Sequence, residues 1–440
     1  MVKSSRDTIY ALASGAPPSA IALIRISGPK VTSIATATLS IGLPKPRQAA
    51  LSEFSDLSGR LIDQCLAVFM AGPASYTGQD TLELSLHGGQ TVIDLAVSAL
   101  TDAGARLAEP GEFTRRAFEA GKLDLTKAEA IADLIDAASP AQHAQAIQQY
   151  GGALADLYLG WRQSLTQALA LLEASIDFPD EEDAPERVEA PVLDLFRQLI
   201  SELEQALESG EVSERIRDGF QIVILGKPNA GKSSLLNRLA GRDAAIVTEI
   251  PGTTRDIVEV RLVLGGYLVW LSDTAGLRDT SDKVEAEGVR RAMAKAEDAD
   301  LRIWLVAPGE GVPEAAAPED LVVHSKSDLA KPRSVSRETY SISSRTGAGL
   351  DDLLDAITER LKSLSNRSEA PMITRARHRN AIKGALEELG RAKDMLSDGY
   401  GAELVSEHVR IAARQLGSLT GHVEVEEILG EVFSTFCIGK

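Results

Sequence analysis

The stretch QIVILGKPNAGKSSLLNRLA, residues 221–240, constrains this chain more than any other. An apolar run meets G-x-x-x-x-G-K-S at Gly226, Gly231, Lys232 and Ser233, and an amphipathic run follows. That order reads as strand, tight loop, helix, the setting in which such a loop cradles phosphates. Glycines let the backbone come close, and successive N–H groups form a nest for anions. Lys232 offers a point charge to the outer phosphates, and the Ser233 hydroxyl suits Mg²⁺. From Gly219 to about Leu364 strand-type and helix-type runs alternate, which predicts an α/β module over residues 218–366.

A phosphate loop alone fits ATPases as well as GTPases. PGTTRD (251–256) adds Thr253 and Thr254, suited to a switch loop closing on Mg²⁺ and a γ-phosphate. WLSDTAG (270–276) ends a strand with Asp273, 41 residues after Lys232. VVHSKSD (322–328) places Lys326 and Asp328 after another strand, and SISSRTG (341–347) brings Ser343, Ser344 and Arg345. This order and spacing are those of a Ras-like GTPase. Asp328 selects the base: a carboxylate accepts from the N1–H and 2-amino group of guanine. Adenine lacks that donor pair, and the unmet acceptor costs about 1–3 kcal/mol. The usual N-K-x-D reads Ser325-Lys326-Ser327-Asp328 here. Serine loses a bridging amide worth about 0.5–1.5 kcal/mol, which predicts weaker nucleotide binding and exchange without a helper. The expected GTP contacts are Asn229, Ala230, Gly231, Lys232, Ser233, Ser234, Thr248, Glu249, Ile250, Pro251, Gly252, Thr253, Thr254, Asp273, Thr274, Ala275, Gly276, Lys326, Asp328, Ser343, Ser344 and Arg345.

The chain is 440 residues long, which predicts roughly three domains. Residues 1–120 mix strand-type runs such as AIALIRIS (20–27), CLAVFMA (65–71) and TLELSLHGG (81–89) with helices, an α+β pattern. From Lys122 the period becomes helical, with Leu154, Leu157, Trp161, Leu165, Leu169, Leu172 and Ile176 in register. DFPDEEDAPERVEAP (177–191) reads as a solvated acidic connector, and a helix follows with Leu195, Leu199, Leu203 and Leu207, closing at Gly210. Helices return after Pro371. The α/β module is therefore read as an insertion between helical parts at 121–217 and 367–440.

Two cysteines, Cys65 and Cys437, rule out a disulfide framework and fit a reducing, cytoplasmic setting. No leader, membrane span or anchor is expected: Gly439 and Lys440 break a prenylation box in the closing FSTFCIGK. The net charge of −18 opposes bulk attraction to nucleic acid. One basic stretch, TRARHRN (374–380), is either a contact for RNA or a solvated helix start.

Hydrolysis needs its own explanation. After DTAG a Ras-type enzyme offers Gln to orient water, and here the residue is Leu277. No arginine finger is evident, and such a finger supplies roughly 10³–10⁵ in rate. Asn229, inside the loop, has a side-chain carbonyl suited to a monovalent cation. Glu285, twelve residues after Asp273, is either a water-positioning group or a surface helix carboxylate.

Across nearly its whole length the chain resembles the tRNA modification GTPases of the MnmE (TrmE) family. GKPNAGKSSLLN, PGTTRD and DTAGLR are similar to that family's GTPase centre. YTGQDTLELSLHGG, PGEFTRRAF and KLDLTKAEAIADLIDA resemble its first two segments, and FCIGK its terminal signature. The resemblance implies a homodimer formed through a folate-binding-like N-terminal domain, with GTPase domains that pair when K⁺ is bound. It implies K⁺ at Asn229, Thr248, Ile250 and Thr253, Mg²⁺ at Ser233 and Thr254, and Glu285 as the catalytic water-positioning residue. It implies a tetrahydrofolate site at Arg25, Glu83, Lys122 and Lys440, for 5,10-methylenetetrahydrofolate with 5-formyltetrahydrofolate as an analogue. A carboxylate such as Glu83 suits pterin donors, and Arg25 and Lys122 suit its acceptors and glutamate tail. The family acts with an FAD-binding protein, MnmG (GidA), in a heterotetramer that modifies C5 of the wobble uridine of certain tRNAs. The amine comes from glycine or ammonium. The tail resembles one that approaches the folate site. Cys437 there is either a catalytic thiol or a small buried residue packed beside Phe433 and Phe436.

Two other readings remain. A ribosome-associated regulatory GTPase explains residues 219–364 equally well but leaves the folate-type positions and the terminal Cys unexplained. An enzyme using folate alone does not explain the intact Mg²⁺ and switch residues.

Overall fold

The computed structural model describes residues 7–177, 184–241, 259–273, 297–329, 339–365, 373–421, 426–434 and 436–439. The chain divides into two compact units, Met1–Ala132 with Gly417–Lys440, and Asp133–Leu416.

The first unit is built on a six-stranded sheet. Its strands are β1 (Ile9–Leu12), β2 (Ser19–Ser27), β3 (Ala49–Ser55), β4 (Leu61–Met70), β5 (Thr81–Gly88) and β6 (Arg106–Leu107), in the order β3-β4-β5-β2-β1-β6. All pairings are antiparallel except β1 with β6. Alternate residues point to opposite faces of a strand. Ile24 and Ile26, Leu82 and Leu84, and Cys65, Ala67 and Phe69 therefore share one face. There they pack with Ile34 of α1 (Val31–Thr38) and Ala96 and Leu100 of α2 (Gln90–Asp102). Arg25 and Glu83, one position out of step, lie on the opposite face as direct partners in the β2–β5 register. Helices α3 (Glu112–Glu119) and α12 (Glu426–Ser434), with α4 (Leu125–Asp136) as far as Ala132, complete the unit, and Leu125, Ala128, Leu429, Val432, Phe433 and Phe436 form a second core.

The second unit holds the last turn of α4 from Asp133, helices α5 (Pro140–Tyr150), α6 (Ala153–Asp177) and α7 (Ala184–Asp218), then the inserted module, then α10 (Ala376–Ser397) and α11 (Ala402–Thr420) as far as Leu416. Within the module, β7 (Phe220–Leu225), β8 (Glu259–Leu264), β9 (Tyr267–Asp273), β10 (Leu301–Val306), β11 (Leu321–His324) and β12 (Thr339–Ser341) line up as β12-β11-β10-β7-β9-β8. All neighbours are parallel except the edge pair β8–β9. Helices α8 (Lys232–Ala240) and α9 (Leu350–Ser365) cover one face through Leu235, Leu236, Leu239, Leu353, Ile357 and Leu361. The β8–β9 turn at Gly265 and Gly266 meets α5, whose Ala141 N–H donates to the Gly266 carbonyl at 3.0 Å. The whole is a multidomain chain: an α+β unit, a helical part, and an inserted Ras-like α/β P-loop module.

The helix expected to start after residue 191 and close at Gly210 instead runs Ala184–Asp218 and contains Pro191. Gly210 is a close-approach position, not a cap: a Cβ there would lie 3.2 Å from the Ile373 Cβ. Residues 178–183 of the acidic connector lie outside the described residues.

Candidate functional sites

The candidate nucleotide site lies at the carboxyl ends of the parallel strands, where β9 and β10 flank β7 and the chain winds away to either side. Such a switch point is where open α/β sheets place ligands. The phosphate loop joins Leu225 of β7 to Lys232 of α8. Gly226 has φ 149°, and a Cβ there would lie 2.4 Å from the Leu305 carbonyl oxygen, so only glycine fits. Gly231 caps α8 with φ 99°, and Asn229 takes a left-handed φ of 65°. The Lys232 ammonium donates to the carbonyls of Gly226 (2.8 Å) and Lys227 (3.1 Å), so it already curls over the loop. Ser233 Oγ donates to Asp273 Oδ2 at 2.6 Å, which joins the loop to the end of β9. A hydroxyl and a carboxylate so paired are oxygen donors of the kind Mg²⁺ takes.

The residues expected to read the base converge on the same end. Lys326 Nζ donates to the Asn229 carbonyl at 2.8 Å and ties the β11 loop to the phosphate loop. Ser343, fully buried, donates from Oγ to Asp328 Oδ1 at 2.7 Å and fixes the direction of that exposed carboxylate. Ser344 and Arg345 follow in the same loop, with Arg345 exposed. Ala230, within the loop, is buried, and Ser234 lies exposed in the first turn of α8. Ser325 is buried, and its hydroxyl donates to the Val306 carbonyl at 3.3 Å. Thr248, Glu249, Ile250, Pro251, Gly252, Thr253, Thr254, Thr274, Ala275, Gly276, Leu277 and Glu285 lie outside the described residues.

A second cluster forms in the first unit. Arg25 Nε donates to Glu83 Oε1 at 2.8 Å, with the two side chains 22% and 24% exposed. The tail comes to this pair: Arg25 Nη1 donates to the Gly439 carbonyl at a long 3.5 Å, and the Gly111 N–H to the Cys437 carbonyl at 3.5 Å. Gly439 is buried with φ 106°, and a Cβ there would sit 2.4 Å from the Leu12 carbonyl oxygen. Cys437 is exposed while Phe433 and Phe436 are buried, their ring centroids 5.5 Å apart. The picture of Cys437 as a buried packing residue is therefore wrong; the phenylalanines anchor the tail and the thiol faces outward. Lys122 is exposed, with its methylenes lying over Gly78. Lys440 lies outside the described residues.

Sequence reasoning missed the residues around this pair. The Arg25 guanidinium carbon lies 5.9 Å from the Tyr76 ring centroid and 5.8 Å from that of Phe113. Glu112 accepts from both terminal guanidinium nitrogens of Arg106 (2.8 and 2.7 Å), from Arg116 (2.8 Å) and from the Glu109 N–H (2.9 Å). Burial alone would push its carboxyl up, but the hydrogen bonds from Arg106, Glu109 and Arg116 prevail and hold it down at about 2. The signal was present in SYTGQD and PGEFTRRAF, but pairing across that separation is not readable from spacing. The basic stretch 374–380 is turned inward: Arg375 donates to Asp133 Oδ1 at 2.7 Å, and Arg379 pairs with Glu214.

Among the described residues no group of three or more His, Cys, Asp or Glu could hold a metal, and no helix is long and apolar enough to cross a membrane.

A family model described as "GTP-binding protein TrmE N-terminus" matches residues 8–122, and one described as "MnmE helical domain" matches residues 125–437. A protein named tRNA modification GTPase MnmE from Hyphomonas neptunium is 56% identical over 440 residues, covering 99% of this chain and 100% of that one. Its namesake from Maricaulis maris is 48% identical, covering 98% and 99%. The one from Caulobacter vibrioides is also 48% identical, covering 99% and 100%. The G domain of the T. maritima FeoB iron transporter aligns with 33% of the chain at 25% identity. Its TM-score of 0.25 adds nothing to the sheet order above.

Proposed function

The chain belongs to the tRNA modification GTPase family MnmE; from that membership we propose that it hydrolyses GTP in potassium-dependent fashion to drive modification of C5 of a tRNA wobble uridine. The chain's own residues divide the work. Lys232 and the loop N–H groups hold the phosphates, and Asp328, aligned by Ser343, reads guanine. Ser233 with Thr254 holds Mg²⁺, which neutralises charge on the β- and γ-phosphates when bound. The exposed oxygen-bearing side chain of Asn229, with Thr248, Ile250 and Thr253, suits a potassium ion, which supplies the positive charge an arginine finger supplies elsewhere. Glu285 positions the attacking water through the switch.

The Arg25–Glu83 pair is the reduced-folate site, with Lys122 and Lys440 as further contacts. Glu83 accepts from a pterin's amino groups, Arg25 donates to its carbonyl or carboxylate oxygens, and Cys437 assists the one-carbon chemistry. 5,10-Methylenetetrahydrofolate supplies the carbon, and the FAD of a partner of the MnmG type supplies redox chemistry. The protein works in the cytoplasm as a homodimer within a heterotetramer. Residues 1–120 bind folate and dimerise, 121–217 and 367–440 form the helical domain, and 218–366 turn over GTP.

What carries this reading is the coexistence, in one chain, of a phosphate loop, a carboxylate at Asp328 aligned by Ser343, and an arginine–carboxylate pair visited by the chain's own terminal segment. The test is GTP turnover in KCl against NaCl, with mass spectrometry of wobble nucleosides from cells lacking the gene. Potassium-selective turnover and loss of the C5 group are expected. Equal rates in both salts would remove the cation, and intact wobble nucleosides would remove the tRNA role.

A further inference from the structure

The two aromatic rings beside Arg25 have no part in the reading above. We propose that Tyr76 and Phe113 are positioning residues: their rings hold the Arg25 guanidinium so that its free N–H donors stay available to the ligand. The inference rests on the folate reading of the Arg25–Glu83 pair and goes one step further into that site.

A guanidinium has five N–H donors. Among the described residues, Arg25 spends one on Glu83 and a second, at 3.5 Å, on the Gly439 carbonyl. The side chain is nonetheless only 22% exposed, so water does little to support its charge. Two ring faces within 6 Å provide that support electrostatically. A ring accepts through its face and not through a lone pair in the guanidinium plane, so the remaining donors are left for another acceptor. An arginine held by further carboxylates would have none to give.

The rings are themselves fixed from separate segments. Phe113 is fully buried with Ile9, Ala11 and Ala108. The Tyr76 hydroxyl is 2.9 Å from Thr114 Oγ1, one residue past Phe113. The loop carrying Tyr76 is pinned on both sides: Thr77 Oγ1 lies 2.7 Å from Ser27 Oγ, and Gln79 Oε1 accepts from Arg116 at 2.9 Å. Arg116 is in turn held by Glu112 at 2.8 Å. A loop this constrained presents a ring face in one orientation, as a positioning role demands.

The test uses the full chain and 5-formyltetrahydrofolate as the probe, with binding followed by calorimetry. Tyr76 is the position to change, because Phe113 is part of the core. Tyr76→Leu is expected to weaken binding about tenfold, in the upper half of what one ring face contributes. Tyr76→Phe keeps the face and is expected to stay within about twofold of wild type. With Arg25→Ala already present, Tyr76→Leu is expected to add no further loss, since the two act as one unit. Full affinity in Tyr76→Leu, or the same loss with and without Arg25, overturns the proposal. A second readout needs no ligand: the Arg25 Nε–H resonance, identified by its loss in Arg25→Lys, is expected upfield under the ring currents and to move downfield in Tyr76→Leu. An unmoved resonance overturns the clamp. Absence of folate binding to wild type overturns the folate reading instead, and the resonance still decides the clamp.

Discussion

Ser325 stands where the guanine-reading stretch ordinarily carries an amide, and its hydroxyl is turned to the Val306 carbonyl. With serine at 325, Asp328 still accepts from Ser343 and Lys326 still donates to the Asn229 carbonyl. An asparagine at 325 is expected to add a second brace between the two loops beside the Lys326 tie. Ser325→Asn is expected to slow GDP release by up to about tenfold, the equivalent of one neutral hydrogen bond. Stopped-flow displacement of a fluorescent GDP analogue measures it, and an unchanged off-rate would show that the brace has no value here. The two thiols differ as sharply. Burial, then the nearby charge of Asp63, pushes the Cys65 thiol up to about 11, whereas Cys437 faces outward. The thiolate is the reactive form. A chromogenic disulfide reagent is therefore expected to label one thiol quickly in the folded chain and the second only in denaturant. Cys437→Ser is expected to abolish the fast phase; its survival would contradict the outward thiol.

Helix α3 shows how an element is held by a single carboxylate. Glu112 gathers Arg106, Arg116 and the Glu109 N–H, and Arg116 carries the connection on to Gln79. Its carboxyl sits at about 2 in the folded chain against an ordinary 4.5. The unfolded chain therefore binds this proton first, and the stabilisation is complete above 4.5 and disappears as pH falls toward 2. Glu112→Gln is expected to cost on the order of a few kcal/mol at neutral pH and to flatten that acid limb. Thermal unfolding followed across the acid range reads both, and an unaltered limb would mean the arginines hold α3 without it. At this scale much was legible beforehand. Strands β2 and β5 declare themselves by alternation in AIALIRIS and TLELSLHGG, and the period of α6 is carried by Leu154 through Ile176. Helix α7 was misjudged because Pro191 and Gly210 look like punctuation. Packing against Ile373 explains the glycine, and that contact is between residues far apart in sequence. The phosphate loop was legible because its chemistry is local. The Arg25–Glu83 pair was not legible from its residues, since its meaning depends on register, on loop 71–80 and on a tail four hundred residues away.

The charge of the whole molecule sets a problem for any role on RNA. At −18 the chain repels a polyanion over distances beyond a few ångströms at low salt. The basic stretch 374–380 does not relieve this. Arg375 shares Asp133 with Arg217, joining α4, α7 and α10, and Arg379 pairs with Glu214 of α7. Arginines spent on internal carboxylates cannot also neutralise phosphates without giving up those pairs. Replacing Arg375 and Arg379 by alanine is therefore expected to lower the melting temperature of the chain, each hydrogen bond to a charged group being worth about 1.5–3 kcal/mol. It is not expected to change how tRNA binding responds to salt. Each phosphate neutralised contributes about 0.7–0.9 to the slope of log affinity against log salt. For this chain alone that slope is expected to be shallower than about −3, the mark of few phosphate contacts. A fluorescence titration of labelled tRNA at several KCl concentrations measures it, in wild type and in the double variant. A steep slope that falls by about two on replacing both arginines would mean that they leave their carboxylates for RNA. A shallow slope in both proteins means that this chain neutralises few tRNA phosphates by itself and that the pairs with Asp133 and Glu214 stay closed.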